Sequence, residues 1–532
     1  MGAIPRPKNQ VITLVVACLG FFMVLLDASI VTVALPTIQT ALHANLSDLQ
    51  WAVDAYTLPF AALMLTAGTF GDRFGRKRLF LIGLVIFLIG STLCGFAPTL
   101  TWFIIGRVVQ GIGAAALSPG SLSILVAAFP EPRSRAQALG IWSGISGTAL
   151  AAGPLIGGLL IQISSWPAIF FVNLPVGALA LALGWPLLAE SRNPTAQHLD
   201  LRGQLLAIAA LTCLTVALIE SSSQGWTSML IIGLFIGCAV FLVAFLRVES
   251  RSQEPMLPLS LFKSWAFSVA NTVALIVGFA LMGTVFFVAQ YFQSVQGMTA
   301  LESGLHTLPI TASTFVTAPF AGRLAARPGP RLPIVLGAIL SGTALFLLTH
   351  ITPTSDYSTV WWNLGLLGIG FGFMLSPLTV AVLSATPPTR AGLGSSMINT
   401  SRQIGSTLGI AVLGTFVVQQ FSSNIVSQLT QLGLPGTISS RIAGRIASAG
   451  AQAIHIPIPL PAQIPLSQAA LHQAIAQAFV DSLHGSFIIS CIGLFAAAIL
   501  VRLLLQMKKS ATKASEEASA PPKAIVGSAG QD

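Results

Sequence analysis

The stretch GTFGDRFGRKR, residues 68–78, connects two predominantly apolar runs, 49–69 and 79–97, that are each long enough to cross a lipid bilayer. It holds one acid and four cations within a few residues. Lysine and arginine concentrate in the short cytoplasmic loops of membrane proteins. The stretch therefore predicts a membrane hairpin whose turn faces the cytoplasm.

The composition of the whole chain is typical of a protein that folds inside a membrane. Of the 532 residues, 54% are hydrophobic and 8% are charged, and the mean hydropathy is +0.83. In soluble domains about a quarter of the residues are charged. Because only helices and closed barrels span a bilayer and these runs are helix-sized, we predict an all-α polytopic membrane protein.

The cations repeat the pattern of the opening stretch along the chain. Fourteen apolar runs are long enough to span, and 22 of the 26 Lys and Arg residues lie in every second gap or at the two ends. An even number of spans with both termini in the cytoplasm satisfies this pattern. The four exceptions are Arg107 and Arg402, inside apolar spans, and Arg441 and Arg445, in an outward loop. The net charge of +10 therefore follows from membrane topology and does not predict nucleic-acid binding.

A weak repeat divides the spans into two halves. Leu117-Ser118-Pro119 returns as Leu375-Ser376-Pro377, and the glycine and cation pattern of 68–77 returns at 322–331, both about 255 residues further on. Two parallel bundles around a midplane cavity are a recurrent transporter architecture. We predict an N-terminal six-helix bundle at 1–190, two inserted transmembrane helices with linkers at 191–265, a C-terminal six-helix bundle at 266–505 and a disordered cytoplasmic tail at 506–532. Within the C-terminal bundle, the extracytoplasmic segment 421–481 is expected to form one or two amphipathic helices on the outer leaflet.

Three charged residues inside the spans are candidates for transport chemistry, since an ionised side chain in the membrane costs roughly 2.5–3.5 kcal/mol on insertion scales. Asp27 lies in the middle of the first span, where burial suits a group that takes and releases protons; a structural acid neutralised by a neighbour is the alternative. Arg107 in the fourth span is its natural counter-charge, unless it only braces its helix through backbone carbonyls. Asp54 lies near the outer end of the second span, where a substrate-attracting place at the pore mouth and a plain helix-start role are equally open.

Glycines three or four residues apart indicate closely packed helices in the fourth and fifth spans. In the fifth span Gly153, Gly157 and Gly158 adjoin Pro154, which favours a bend. General packing of membrane helices explains this pattern without a functional role.

Five motifs make the chain resemble the fourteen-span drug/proton antiporter family of the major facilitator superfamily. They are 26–36 in the first span, the loop 68–78, the arginine motif 106–113, the antiporter motif 153–158, and 399–405 in the thirteenth span. The resemblance implies two six-helix bundles plus two inserted linker helices.

The resemblance also implies roles for single residues. Asp72 and Arg73 would form a cytoplasmic charge latch of the outward-open state, in a gating loop that also contains Gly68, Gly75 and Arg76. Asp27 and Arg107 would take part in proton coupling, and the motif from Gly153 to Gly158 would form a bend associated with exchange. The tenth span has no acid beyond Glu302 at its start, which counts against dicationic substrates.

These features together predict proton-coupled efflux of lipophilic, often cationic drugs by alternating access, in a bacterial cytoplasmic membrane and as a monomer. A dedicated exporter of a single natural product, antibiotic or lipid is the alternative within transport, and a non-transporting receptor or scaffold is a remote one. We expect no enzyme, because no nucleophile, base and orienting set is recognisable. We also expect no metal and no cofactor, since the chain has no GxxxxGK[ST] loop for a nucleotide.

Overall fold

The chain is helical throughout the part that the structure, a computed structural model, describes: residues 7–192, 200–252, 255, 257, 259–326, 329–386, 391–432, 434, 439, 440, 443 and 467–505. No β-strand occurs among these residues, so the all-α prediction is confirmed. The described part contains fourteen long helices: α1 (Pro7–Ala41), α2 (Leu46–Phe74), α3 (Arg76–Gly95), α4 (Leu100–Ala128), α5 (Pro132–Ile163), α6 (Ala168–Leu187), α7 (Leu201–Gln224), α8 (Met229–Arg251), α9 (Trp265–Gln290), α10 (Ala300–Ala326), α11 (Arg331–Leu348), α12 (Tyr357–Ala385), α13 (Ala391–Gln431) and α14 (Gln468–Leu504).

Eleven of these helices are long and apolar enough to cross a membrane by length and composition alone. The other three are α2, α5 and α10. Helix α2 packs against α13, and α5 packs against α10, so these three face the opposite half of the protein. A helix that faces protein needs less apolar surface than one that faces lipid.

Each half of the molecule repeats the same packing, as the internal repeat predicts. In the first half α3 and α2 lie against α4, while α1 lies against α5. In the second half α11 and α10 lie against α12, while α9 lies against α13. Helices α1 to α6 therefore correspond to α9 to α14.

The inserted pair is attached to both halves through α7. Gln204 Nε2 donates to the carbonyl of Ala62 in α2 at 2.7 Å, and Thr415 of α13 donates its hydroxyl to the carbonyl of Leu218 at 2.6 Å. Helix α8 packs on α7 and is mostly exposed along its length. An apolar helix with so little of its surface buried is suited to face lipid.

The structure differs from our expectation at the ends of α13 and α14. We expected residues 421–481 to leave the bundle and lie on the membrane surface, but α13 continues to Gln431 and α14 begins at Gln468. The two extensions pack together: the rings of Phe421 and Phe479 are 5.4 Å apart, and Asn424 Nδ2 donates to Ser482 Oγ at 3.2 Å. These contacts keep the extensions in the bundle, so the surface-helix prediction is wrong for 421–431 and 468–481.

Other sequence predictions fall outside the described residues. They concern the proline-rich stretch 456–465 and the tail 506–532. The membrane boundaries of the remaining segments stay predictions, because no membrane accompanies the structure.

The two halves touch each other in the part of the bundle far from the chain termini, which we call the distal gate. It comprises contacts of α1 with the end of α9, of α5 with α10, and of α2 with α13. Gln293, in a π-helical turn that ends α9, donates from Nε2 to the carbonyl of Val33 at 2.8 Å. Thr407 donates its hydroxyl to Thr57 Oγ1 at 2.9 Å. In this conformation the distal gate is closed.

Candidate functional site

The structure brings Asp27 and Arg107 together in the middle of the first half. Arg107 Nη1 lies 2.5 Å from Asp27 Oδ2, and the two side chains are 1% and 0% exposed. The sequence alone could not establish that α1 and α4 place these residues in contact. An ion pair this deeply buried is costly to desolvate and strongly destabilising to break, because either partner alone is an uncompensated charge.

Neutral side chains complete the hydrogen bonding of Asp27. Gln110 Nε2 donates to Asp27 Oδ1 at 3.0 Å, and Asn173 Nδ2 donates to the same oxygen at 3.4 Å. Both amides also donate to Ser91 Oγ, at 2.8 and 3.3 Å. The carboxylate therefore accepts from one cation and two amides, of which Arg107 and Gln110 lie on α4 and Asn173 lies on α6.

Arg107 is held from its other sides by acceptors and aromatic rings. Its Nε donates to the carbonyl of Ala52 in α2 at 2.9 Å, and Nη1 also donates to Gln110 Oε1 at 2.8 Å. The guanidinium carbon lies 4.4 Å from the centre of the Tyr56 ring and 6.0 Å from that of Phe170. These contacts connect α1, α2, α4 and α6 around one pair of charges, so a change in the pair affects all four helices.

Sequence reasoning missed Gln110, Asn173 and Tyr56. Gln110 follows Arg107 by three residues and so shares its face of α4, a spacing that could have identified it. Asn173 is an isolated amide in an apolar run, and it becomes informative only when α6 is placed beside α1.

Asp54 is buried rather than placed at an exposed pore mouth. It lies in α2 with no exposed surface, accepts a hydrogen bond from Thr57 Oγ1 at 3.0 Å through Oδ1, and its Oδ2 has no hydrogen-bond partner. Thr57 is itself the acceptor for Thr407 of the opposite half. A buried carboxyl oxygen without a donor costs free energy as long as no partner or water reaches it. Helix α2 begins at Leu46 and the acid of its first turn is Asp48, so Asp54 does not lie at the start of the helix, and its substrate-attracting role stays a prediction.

The gating loop makes a sharp turn between α2 and α3. Gly75 has φ +122°, a conformation that L side chains rarely adopt, and the amide of Arg76 donates to the carbonyl of Ser191 at 3.0 Å. Arg73 is exposed, and its guanidinium carbon lies 5.5 Å from the centre of the Phe74 ring. The side chain of Asp72 lies outside the described part of the chain, so the latch predicted for Asp72 and Arg73 stays a prediction.

Glu190, which sequence reasoning did not identify, closes the gating loop from the end of the first half. Its Oε1 accepts from the amide of Lys77 at 3.1 Å, and its Oε2 accepts from the amide of Arg78 at 3.3 Å. A carboxylate at these positions satisfies free amides of the α3 N-terminus and favours the positive end of the helix dipole. Gly68, the first residue of the motif, faces Pro119 of α4.

We expect Gly75→Ala to lower the free energy of unfolding by about 1–3 kcal/mol. The methyl group would be forced into a rare backbone conformation, and a Cβ there would lie 2.7 Å from Glu190 Cδ. Thermal unfolding of the purified protein checks this, with Gly233→Ala as the control because nothing lies within 4 Å of a Cβ at that position. Equal unfolding temperatures of the two variants would contradict the strain argument.

The antiporter motif of α5 is a surface of close backbone approach. A Cβ at Gly153 would meet the hydroxyl of Ser29, and one at Gly157 would lie 2.7 Å from Ile30 Cγ1. The absence of a side chain at both glycines therefore lets α1 pack closely against α5. Gly158 instead faces the opposite half, where a Cβ would lie 2.7 Å from the carbonyl oxygen of Ala300. Pro154 lies inside the helix, between these contacts. The motif thus packs on α1 on one side and forms part of the distal gate on the other.

The described residues contain no group of three or more His, Cys, Asp or Glu side chains arranged to hold a metal ion. What they do contain is the buried ion pair of Asp27 and Arg107, the buried carboxyl group of Asp54 beside the contact between the halves, and a closed gate. This arrangement can change its charge and its packing, and it offers no recognisable set for covalent catalysis.

Comparison with known proteins agrees with this description. A family model described as Major Facilitator Superfamily matches residues 17–410. The chain is 38% identical over 439 residues to the multidrug resistance protein Stp of Mycobacterium tuberculosis, which covers 82% of this chain and 81% of that protein. It is 33% identical over 515 residues to the tetracenomycin C resistance and export protein of Streptomyces glaucescens, which covers 96% of this chain and 94% of that protein.

Solved structures show the same fold. A bacterial homologue of the human lysosomal transporter Spinster, in an inward-facing and occupied conformation, matches 94% of this chain and 97% of its own with a TM-score of 0.60. Its sequence identity is 18%, so it informs on the fold alone. The chain is a multi-pass membrane protein and a secondary transporter rather than an enzyme, and it belongs to the Major Facilitator Superfamily.

Proposed function

We propose that this protein exports lipophilic compounds, cationic drugs among them, in exchange for protons, with Asp27 and Arg107 as its coupling pair. The observation that carries the proposal is their complete burial at 2.5 Å. A proton that binds Asp27 would cancel its charge and leave Arg107 uncompensated, at a cost of several kcal/mol unless the helices rearrange. Proton binding and helix rearrangement are thereby linked.

The route from the pair to the gate runs along α1. Asp27 is followed on the same helix by Ser29 and Ile30, which pack on the glycines of α5, and by Val33, which accepts the hydrogen bond of Gln293. A shift of α1 that follows protonation would therefore disturb the distal gate directly. We place this gate on the extracytoplasmic side, with both termini in the cytoplasm, as the positive loops indicate.

We propose Asp54 as a second acid that exchanges protons. Its free oxygen is buried beside the Thr57–Thr407 contact between the halves. Opening that contact would expose the carboxyl group to water and allow it to ionise. We further propose that the gating loop, with Asp72, Arg73 and Arg76, holds the cytoplasmic side when the distal gate opens.

The proton gradient is sufficient for such a cycle. One elementary charge that moves down about 100 mV releases roughly 2.3 kcal/mol. At about 1.4 kcal/mol per tenfold ratio, one proton could sustain roughly a 50-fold gradient of exported compound. No nucleotide is required.

Ethidium efflux from energised cells tests the proposal. We expect the wild type to lose efflux when a protonophore is added, and Asp27→Asn to be inactive, by at least about tenfold, at equal expression because it cannot release a proton. Asp356→Asn is the matched control, since this acid is exposed at the start of α12 and its side chain makes no capping hydrogen bond. Active, uncoupler-sensitive efflux by Asp27→Asn would remove Asp27 from the coupling mechanism.

A dedicated exporter of one natural product is the second candidate. It is favoured by the likeness, over 96% of this chain, to a protein named for resistance to and export of a single compound, tetracenomycin C. Retention of ethidium by energised wild-type cells would support this candidate against broad drug export.

A further inference from the structure

The second half of the protein contains an arginine that the coupling scheme does not use. Arg402 lies on α13 about 16.5 Å along the helix axis from its first residue, Ala391, which is close to half the thickness of the hydrocarbon core of a bilayer. Its Nη2 donates to Asn399 Oδ1 of the same helix at 2.8 Å. The side chain is partly buried, and none of its nitrogen atoms is both fully enclosed and without a partner. The guanidinium therefore retains donors that an incoming group can reach.

Arg402 borders a small cavity where α9, α12 and α13 meet. Its lining includes Ala274 and Val277 of α9, Leu378 and Thr379 of α12, and Asn399 beside the arginine. The free volume is about 10 Å³, enough for one water-sized group such as a single oxygen atom of a larger molecule. The cavity is apolar on the side of α9 and polar on the side of α13, so a molecule with an apolar body and one polar group fits its chemistry.

Within the described part of the chain, no carboxylate forms an ion pair with Arg402. Helices α9, α12 and α13 contain no aspartate or glutamate anywhere in their sequences. Among the described residues, Arg402 is in no ion pair, whereas Arg107, the other arginine inside an apolar span, is 2.5 Å from Asp27. A cationic side chain in the middle of a membrane costs free energy unless it is paired. In the described part of the second half, Arg402 is thus a positive charge inside an apolar span with no carboxylate paired to it.

We infer that Arg402 binds an anionic group, a carboxylate or an ionised phenol, on the compounds that this transporter exports. A guanidinium suits such a group because its N–H donors form a fixed fork that matches two acceptor oxygens. The inference rests on the proposed export function for the identity of the ligand. It adds a specificity rule to that function: an acidic group on a lipophilic body increases affinity, and the positive charge of Arg402 opposes the entry of cationic groups into this cavity.

A pair of dyes tests the inference on the purified full-length protein. One is a rhodamine with a free carboxylate, and the other is the methyl ester of the same dye, which differs in that one charge. We expect the wild type to bind the free acid about tenfold more tightly than the ester, as measured by fluorescence polarisation, since a hydrogen bond to a charged group contributes on this order. Arg402→Gln is expected to bind both dyes equally, and Arg402→Lys to retain part of the preference because it keeps the charge and loses the fork.

Arg202→Gln is the matched control, since it removes an equal charge from an exposed position at the start of α7. It is expected to preserve the preference for the acid. Equal affinity of the wild type for acid and ester, including the absence of binding of either, overturns the inference. Loss of the preference in Arg202→Gln as well would also overturn it, because a general charge effect would then explain the result.

Chloride distinguishes the source of the anion. If replacing gluconate by chloride at constant ionic strength abolishes the preference of the wild type for the acid, Arg402 holds an inorganic ion and the inference is wrong. The binding assay uses no proton gradient, so it remains informative if efflux proves insensitive to a protonophore. In that case proton coupling would fail and the role of Arg402 would stand.

Discussion

Replacing Arg107 with methionine is expected to lower the free energy of unfolding by about 3–5 kcal/mol. The substitution keeps an unbranched, flexible side chain, although a shorter one, and removes its charge, which leaves the entirely buried Asp27 without its counter-charge. It also removes the donor to the carbonyl of Ala52 and the cation above the ring of Tyr56. Denaturant unfolding of the purified protein, followed by tryptophan fluorescence, measures the loss.

The double variant Asp27→Asn with Arg107→Met separates the charge from the packing. Asparagine keeps an oxygen at the place where Gln110 and Asn173 donate, and no charge remains unpaired. Neutral replacement of a buried ion pair is often harmless to stability, so we expect the double variant to regain most of the loss. It should nevertheless transport nothing, because the proposed coupling pair is gone and Asp54 alone cannot link proton binding to the movement of α1.

Arg78→Met is the control for arginine loss as such. Arg78 is 3.8 Å from Glu190, but its side chain is 71% exposed, and exposed ion pairs contribute about 1 kcal/mol or less. If Arg78→Met and Arg107→Met lower the free energy of unfolding equally, breaking the buried Asp27–Arg107 pair costs no more than breaking an exposed ion pair. If the double variant is no more stable than Arg107→Met, the cost arises from lost packing rather than from the stranded carboxylate.

The coupling pair illustrates how far sequence can predict a membrane site. Asp27 and Arg107 can be identified from the sequence because an ionised side chain inside an apolar run costs free energy to insert into a membrane. That cost alone makes them candidates for a functional role. The same argument could not identify Gln110 or Asn173, since an uncharged amide costs much less in a helix and has no distinct signature. Their role follows only from the positions of α4 and α6 around α1.

Asp54 can be identified from the sequence as an acid inside a span, but its burial cannot. Its place near the outer end of the second span predicts access to water, because residues near the end of a span usually lie close to the membrane surface. Packing of α2 against α13 of the other half buries it completely. Which helices pair across the two halves is set by contacts hundreds of residues apart in sequence, such as Thr57 with Thr407.

The helix ends were missed for a related reason. Predicted spans end where hydropathy falls, so the polar residues after 420 and before 482 predict a segment outside the membrane. In the structure α13 and α14 support each other beyond that point through buried residues such as Leu429 and Ile475. Two helices that bury apolar residues against each other can remain helical beyond the apolar spans, because those residues are shielded from water without lipid.

Introducing leucine at Gly158 is expected to abolish export, by more than about tenfold, while each half of the protein stays folded. Even a Cβ at this position would meet the backbone of α10, 2.7 Å from the carbonyl oxygen of Ala300 and 2.8 Å from the amide nitrogen of Leu301. Backbone atoms cannot move aside as a flexible side chain can, so the distal gate cannot close. A transporter that cannot close one side cannot complete alternating access.

Cysteine labelling measures the state of the gate directly. Val33 is 1% exposed when the gate is closed. In a background without the five native cysteines, we expect Val33→Cys to react slowly with an impermeant maleimide added outside intact cells, and about tenfold faster when Gly158→Leu is also present. Gly233→Leu is the matched control, because a Cβ at Gly233 meets nothing within 4 Å and its helix, α8, lies outside the gate. Unchanged labelling of Val33→Cys in the Gly158→Leu protein, together with lost transport, would show that Gly158 acts within the first half rather than at the contact between α5 and α10.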